Sequence, residues 1–422
     1  MHITNRFQPT HRDVSARRRR WTTMTQKRHA SEPDVAIPCT LYRGGTSRGL
    51  LFLEGHIPHE RDAQSAILLR AFGSPDDRQI DGVGGATSLT SKAMIVGAER
   101  ATDADVRMLF AQVGVAVSTV DWGGNCGNMT SAVGPFAIES GLVPIVEPVT
   151  TVRIRSVNTG SLVHAHVLVR DGRVVTEGDY AIAGVPGTGA RIDLEWLEPG
   201  GSTTGRLLPT GHTSDRFVLS GGREIDVSIV DAANPMVFCA AASVGLTGTE
   251  SPGELESAHQ AMQWLEEIRS IAAELLAIVP DRTTATRMSP GLPKVAFVAP
   301  AAAYQTVSGQ SCAADTHDFH ARYLSMQTAH RSYAAAGSIC TAVAARLPGT
   351  VVHDCAMAAT EEPDVVRFAH PAGVMTIQVR MRGTGTDVEA ESATVQRTAR
   401  RIMSGAVWVP ANLTVSASDP TR

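Results

Sequence analysis

Aromatic residues make up only 5% of this 422-residue chain, and that scarcity argues against several kinds of ligand site. Proteins that stack nucleobases need exposed aromatic side chains for the purpose. Long apolar runs are also missing: the best stretch, "VAFVAPAAAY" (295–304), contains proline and falls well short of the roughly 18 residues of a membrane span. We therefore expect no nucleic-acid partner and no membrane insertion.

Paired cysteine motifs are absent as well. The six cysteines (39, 126, 239, 312, 340 and 355) include no C-x-x-C, which predicts reduced thiols and a cytoplasmic protein. The first 30 residues carry eight Lys/Arg against one Asp, without the apolar run of a secretory signal. We predict that residues 1–36 form a disordered basic extension. Translation starting at Met24 and an organelle transit segment both remain open for it.

Several catalytic motifs are missing. The chain has no Walker A sequence and no G-x-G-x-x-G, so nucleotide binding has no support. The segments "HAH" (164–166) and "HDFH" (317–320) could each place two histidines on one face. Neither has a third ligand nearby in sequence, so we predict no metal site.

Lysine is the scarcest charged residue and the most informative one. The chain holds 35 arginines but only three lysines: Lys27, Lys92 and Lys294. An ammonium group can lose its proton when desolvated, whereas a guanidinium stays charged. Lys92 ends the Gly/Thr/Ser-rich segment "DGVGGATSLTSK" (81–92) and opens an apolar strand. It is therefore a candidate general base beside a loop that can hold an anion.

Cys126 precedes a predicted buried helix. Small or apolar residues fall at 129, 132, 133, 136 and 137, the spacing of a helix, with a kink expected at Pro135. Asn125 and Asn128 are good N-cap residue types. The unpaired N–H groups at a helix N-terminus favour a thiolate there. Cys126 is therefore a candidate acid or base.

Features of the first half recur in the second. Both halves show, in the same order, a strand–turn–strand unit, a helix, a strand opened by lysine and a small-residue helix. The pairs are 37–53 and 225–242, 60–72 and 253–279, "SKAMIV" and "PKVAFV", and the helices after 126 and at 336–349. This order predicts two related α+β domains, 37–200 and 201–422, each wrapping strands around a central helix. The two helix entrances would face one anion-binding cleft.

Five motifs together resemble the PrpF family. They are "RGGTSRG" (43–49), "FGSPDDRQIDGVGGATSLTSK" (72–92), "NCGNMTSAVGPFAIE" (125–139), "VNTG" (157–160) and "GVPGTGA" (184–190). The resemblance spans roughly residues 37–410 and implies the diaminopimelate epimerase-like fold, two curved sheets each around a helix. It also implies cofactor-independent isomerisation of a small unsaturated di- or tricarboxylate, as in 2-methylaconitate cis-trans isomerase of propionate catabolism.

The resemblance also implies roles for particular residues. Lys92 and Cys126 match the family's catalytic pair, Ser47 its substrate-holding serine and, in a looser motif, His330 a histidine before the second central helix. We expect further substrate contacts from the R-G-G-T-S turn, the loop before Lys92 and the two helix entrances. These are Thr46, Thr90, Ser91, Asn125, Gly127, Asn128 and Ser338.

Other functions stay open at this point. Within the family, 3-methylitaconate or aconitate Δ-isomerase and 4-oxalomesaconate tautomerase are the alternatives. Cys340 could supply a second thiol for an amino-acid epimerase, although Ser338 rather than Cys340 stands at the predicted helix entrance. Outside enzymes, the alternative is a noncatalytic protein that docks with a dehydratase of the same pathway. The expected partners are a small anionic substrate, such a dehydratase and a second copy of the chain.

Overall fold

The computed structural model describes residues 34–100, 103–356, 362–383 and 388–414. The predicted basic extension lies outside these ranges up to residue 33, and the first strand already begins at Asp34. Within the described ranges, no helix has both the length and the apolar character needed to cross a membrane.

The described residues form 21 strands and seven α-helices. The strands of the first half are β1 Asp34–Gly44, β2 Ser47–Leu53, β3 Lys92–Ala98, β4 Val106–Val113, β5 Val120–Asp121, β6 Val149–Ser156, β7 Leu162–Arg170, β8 Arg173–Val174 and β9 Ile192–Leu197. Those of the second half are β10 Asp215–Val218, β11 Glu224–Ala232, β12 Asn234–Ala240, β13 Lys294–Pro300, β14 Tyr304–Gln305, β15 Ser311–Cys312, β16 Phe319–Ser325, β17 Thr328–Ala329, β18 Val365–His370, β19 Gly373–Arg382, β20 Glu389–Arg397 and β21 Ala399–Pro410. The helices are α1 Arg61–Phe72, α2 Gly127–Glu139, α3 Pro252–Ser257, α4 His259–Leu275, α5 Ala285–Met288, α6 Ala335–Ala345 and α7 Val351–Cys355.

Strand pairing confirms the half-repeat read from the sequence. In the first half β2 pairs parallel with β3, β3 antiparallel with β4, and β4 parallel with β6. In the second half β12, β13, β16 and β18 repeat the same three pairings in the same order. Two strands opened by lysine therefore occupy equivalent places in the two halves.

A buried helix runs through each half. Every residue of α2 from Gly127 to Ile138 is buried, and so is every residue of α6. Such helices carry no polar face because strands surround them on all sides. The helix α2 continues through Pro135 to Glu139. The helix predicted over 253–279 is interrupted at Ala258, because a Ser251 capping box starts α3 separately and Ala258 leaves the helical conformation.

The last two strands return to the first half. Strand β20 pairs with β19 on one side and β9 on the other, and β21 pairs with β1. The C-terminal segment therefore completes the sheet that the N-terminal segment begins. The domain boundary near residue 200 stays a prediction.

A buried carboxylate fixes the connection between the halves. Asp231 at the end of β11 is fully buried and accepts hydrogen bonds from Ser202 Oγ at 2.6 Å, from the Thr203 N–H at 2.8 Å and from Thr204 through both its N–H and its hydroxyl. A buried carboxylate is stable only when such donors satisfy it. This aspartate therefore holds the 202–204 segment against the second sheet.

We predict that Asp231→Ala lowers the free energy of unfolding by about 3 kcal/mol, because hydrogen bonds to a charged group contribute about 1.5–3 kcal/mol. Urea unfolding followed by circular dichroism measures the change. Asp215→Ala is the matched control, since that carboxylate is half-buried and accepts one side-chain bond, from Thr210. A loss at Asp231 no larger than at Asp215 would contradict the anchoring role.

Candidate active site

The N-termini of the two central helices meet at the base of a cleft. A Cβ added to Gly127 would lie 2.7 Å from Ala335 Cβ and 2.8 Å from the Ala336 nitrogen, so only glycine fits there. The N-cap residues, Cys126 of α2 and Ala334 of α6, both line the cleft. The positive ends of two helix dipoles therefore point at the same small volume.

Cys126 is the N-cap residue of α2, but its side chain does not cap the helix. Its side chain makes no cap hydrogen bond, and its residue is 6% exposed. The Asn125 side-chain oxygen accepts a hydrogen bond from the Cys126 N–H at 2.8 Å, so the Asn125 amide nitrogen points away from that N–H. The thiol is thus held in the lining of the cleft by its backbone rather than by a partner of its own.

Lys92 enters the cleft from the first residue of β3. It is buried, its ammonium donates to Gln112 Oε1, and it lies 5.4 Å from the centre of the Phe110 ring. Gln112 is fixed in turn by donating to the Ser91 carbonyl at 2.9 Å. Burial lowers the pKa of Lys92, and the nearby charges of Cys126 and Asp121 partly oppose that shift.

Lys294 occupies the equivalent place in the second half. It opens β13, lines the same cleft, and donates to the Gly291 carbonyl at 3.2 Å. Burial lowers the pKa of Lys294 to about 8, and the positive charge of Lys92 contributes to that shift. Sequence reasoning did not assign Lys294 to the site. The signal was available, since "PKVAFV" had been matched to "SKAMIV" in the repeat.

Two buried polar atoms in the lining have no hydrogen-bond partner among the described residues. They are Ser47 Oγ and Asn125 Nδ2, and both residues border the cleft. Buried polar groups are nearly always paired, so orphans aimed at a cleft indicate groups that a ligand satisfies. Ser47 follows the tight turn Gly45–Thr46, whose Gly45 has φ +51°.

A hydrogen-bond network braces that turn against α2. Asn128 donates to Thr46 Oγ1 at 2.9 Å and accepts from Arg397 Nε at 3.0 Å, while Ser332 Oγ donates to Thr46 Oγ1 at 3.1 Å. Arg397 is buried, and burial lowers its pKa to about 10. Asn128 lines the cleft, whereas Thr46 lies behind the lining and positions the turn that carries Ser47.

His330 borders the cleft beside both lysines. Its Nδ1 accepts the Ser332 N–H at 3.1 Å, and its ring stacks on Tyr323 at 4.6 Å between centroids. Burial lowers the pKa of His330 to about 3, with a further contribution from Lys92 and Lys294. The imidazole is therefore neutral near pH 7, and the bond at Nδ1 favours the tautomer with its proton on Nε2.

Besides Thr46, four expected contacts do not reach the lining. The Thr90 hydroxyl forms a hydrogen bond with the Thr87 hydroxyl, and the buried Ser91 hydroxyl donates to Gln79 Oε1 at 2.9 Å. Gly127 lies behind Cys126 against α6. Ser338 is a turn inside α6, where its hydroxyl donates to the Ala335 carbonyl, so the expectation that it stands at the helix entrance is wrong.

Cys340 cannot act as a second thiol facing Cys126. It is fully buried within α6, its Sγ donates to the Val230 carbonyl at 3.2 Å, and burial raises the pKa of the thiol far above its ordinary value. The residue that stands opposite Cys126 at the second helix entrance is Ala334. The arrangement required by a two-thiol epimerase is thus not formed.

The histidine pairs lie away from the cleft lining. His164 and His166 are neighbours on β7, with ring centroids 6.4 Å apart. His317 and His320 are buried with their Nε2 atoms 3.3 Å apart, and His320 Nε2 lies 2.9 Å from the Ala302 carbonyl. Across the described ranges, no group of three or more His, Cys, Asp or Glu side chains is placed to hold a metal ion.

The charge of the cleft suits an anion. Lys92 and Lys294 bring two amino groups that are positive when protonated, and the helices add two positive dipole ends. Asp121 is the one carboxylate in the described lining. The neutral donors Ser47 and Asn125 stand among them. A small molecule with more than one carboxylate complements this arrangement.

Comparisons with known proteins agree with that chemistry. The family described as PrpF protein matches residues 34–410. The 3-methylitaconate isomerase of Eubacterium barkeri is 42% identical over 376 residues, covering 89% of this chain and 97% of the relative. The 2-methyl-aconitate isomerase of Shewanella oneidensis is 35% identical over 391 residues, covering 90% of this chain and 98% of the relative.

Solved structures confirm the fold class. A methylitaconate-delta-isomerase superposes with a TM-score of 0.75 at 40% identity, covering 92% of this chain and 98% of the other. A hydroxyproline epimerase from Agrobacterium vitis superposes with a TM-score of 0.53 at 12% identity, covering 91% and 96%, which shows a shared fold alone. The predicted epimerase-like fold is therefore confirmed.

The proximity of the two lysines has a measurable consequence. We predict that Lys92→Met raises the pKa of Lys294 above its value of about 8, because a neighbouring positive charge disappears. The rate of acetylation of Lys294 as a function of pH, followed by mass spectrometry, reports that pKa. Lys92→Arg keeps the charge and serves as control. If Lys92→Met left the pKa of Lys294 unmoved, the lysines would not share one cleft.

Proposed function

This chain belongs to the PrpF family, and from that premise we propose that it is an isomerase that moves an allylic proton, and with it a double bond, in a small unsaturated di- or tricarboxylate. The observation that carries the proposal is the convergence of Lys92, Lys294 and Cys126 on one buried cleft whose donors Ser47 and Asn125 are unpaired. Its relatives of known name are isomerases of such acids.

Lys92 acts as the base in this proposal. Desolvation favours its neutral amine, which can take a proton from the carbon next to the double bond. The electron pair left behind spreads over the double bond into a carboxylate and forms a dienolate. The ammonium of Lys294, Ser47 Oγ and the N–H groups at the start of α2 face the developing charge.

Cys126 acts as the acid. Its thiol returns a proton to the other end of the allylic system and becomes a thiolate. The cycle closes when the ammonium of Lys92 loses the proton that it took and the thiolate gains one, by exchange with solvent. The substrate thus gains and loses one proton, and no electron is transferred. The helix N-terminus stabilises the thiolate during this step. Neutral His330 serves as a hydrogen-bond donor and not as a charged group.

Two substrates stand first among the candidates. The segment "QIDGVGGATS" (79–88) resembles the methylaconitate and methylitaconate members of the family more than the oxalomesaconate ones. The 42% identity to a 3-methylitaconate isomerase, against 35% to a 2-methyl-aconitate isomerase, supports methylitaconate as the alternative to 2-methylaconitate. Ultraviolet absorbance assays with 2-methylaconitate, trans-aconitate, methylitaconate and oxalomesaconate, run side by side, decide between them. A second copy of the chain and a dehydratase are the protein partners expected under this proposal. We expect the reaction to occur in the cytoplasm.

We predict that Lys92→Arg and Cys126→Ser each lower kcat by about 10²–10⁴-fold, the usual contribution of a positioned proton-transfer group. Deuterium incorporation from D₂O into the preferred acid, followed by NMR, measures proton transfer directly. Lys27→Arg, in the predicted basic extension, is the control and should keep full activity. Exchange retained by Lys92→Arg would remove the base from the mechanism, and no exchange by the unaltered chain with any of the four acids would favour a noncatalytic binding protein.

A second prediction concerns pH. Lys294 must be protonated to hold a carboxylate, so kcat/KM should fall as the pH rises through its pKa of about 8. Lys294→Arg keeps the cation at higher pH and should move this alkaline limb upward, whereas Lys294→Met should raise KM at every pH. An alkaline limb that stays in place in Lys294→Arg would assign it to another group and contradict the role of Lys294.

A further inference from the structure

The strand β21 leaves a long backbone edge uncovered. It runs over 12 residues from Ala399 to Pro410, and among the described residues it pairs only with β1. All seven residues from Arg400 to Ala406 are exposed, which means that side chains on both faces of the strand meet solvent. A long unpaired edge presents a row of free N–H and C=O groups and acts as a template for another strand.

Three large apolar side chains are exposed on this strand. Ile402 is 43% exposed, Met403 48% and Trp408 64%. No Asp, Glu, Lys or internal proline interrupts the strand before Pro410. Charged side chains, prolines and bulges are the devices by which proteins usually protect an edge. In β21 they are confined to its first end, at Arg400, Arg401 and a bulge at Ile402. By contrast, β10 is also paired on one side only but is four residues long, Asp215–Val218.

The charges of β21 select the direction of a partner. Arg400 and Arg401 sit together at its first end, and the remainder of the strand is uncharged. A parallel partner of the same sequence would bring four arginines together, whereas an antiparallel one separates the two pairs. With Ser404 opposite its own counterpart, Arg400 would face Trp408 of the other strand, a pairing of a cation with an aromatic ring that is favourable.

We propose that this edge is a dimer interface, in which β21 of one chain pairs antiparallel with β21 of a second copy about a two-fold axis near Ser404. The same patch then contacts itself, as in isologous dimers. The pairing joins two sheets into one and covers Ile402 and Met403. The proposal concerns a surface outside the catalytic cleft and does not depend on the proposed reaction.

Sedimentation velocity of the full chain tests the assembly. We expect a species of twice the 44.7 kDa chain mass, and a shift to monomer in the double variant Ile402→Lys/Met403→Lys. Val218→Lys, on the short edge strand β10 and 59% exposed in the native chain, is the matched control and should remain dimeric. A native chain that is monomeric at all concentrations, or a double variant that stays dimeric, would overturn the proposal.

Two measurements need no destabilising change. Ser404→Cys should form a disulfide-linked dimer on mild oxidation, since directly opposite residues of an antiparallel pair lie within disulfide reach. Val218→Cys and the unaltered chain should not. In the native chain, hydrogen exchange should show that those amides of 400–406 that do not bond to β1 are protected at dimer-forming concentration and exposed on dilution. Protection of these outward amides that persists in a monomer would show that a segment of the same chain covers the edge, against the proposal.

Discussion

The close approach of two helix N-termini is the constraint on which the site depends. Gly127 lets α6 come within contact of α2, because a side chain there would collide with Ala335 and Ala336. Two positive dipole ends thereby face one cleft, which would be unfavourable if no anion were bound. The two buried lysines add to that field. Anion binding is thus inherent in the packing of the fold, before any single side chain is considered.

Much of this arrangement could be predicted from the sequence. The strand–turn–strand units, the lysine-opened strands and the two small-residue helices are local patterns, and the structure confirms their order and their matched pairing. Lys92 stood out because the chain uses arginine almost everywhere else. The return of β20 and β21 to the first half could not be predicted, since strand partners far apart in sequence leave no local periodicity.

The errors at the site have a common physical origin. Ser338 and Ser91 were assigned by residue type, yet each hydroxyl is taken up by a nearby backbone or side-chain group. Short polar side chains often make such local bonds, so their presence near a helix start is weak evidence for ligand contact. Lys294 was missed for the opposite reason. Its importance follows from the partner lysine across the cleft, and sequence spacing alone does not reveal that distance.

The asymmetry of the two halves bears on the chemistry. A symmetrical site with a thiol at each helix entrance suits removal and return of a proton at opposite faces of one carbon. Here the second entrance carries Ala334, and the two lysines come from strands instead. In the proposed mechanism, the base on a strand and the acid at a helix end address different positions along the substrate. Such a geometry fits proton movement between two carbons of an allylic acid better than inversion at one.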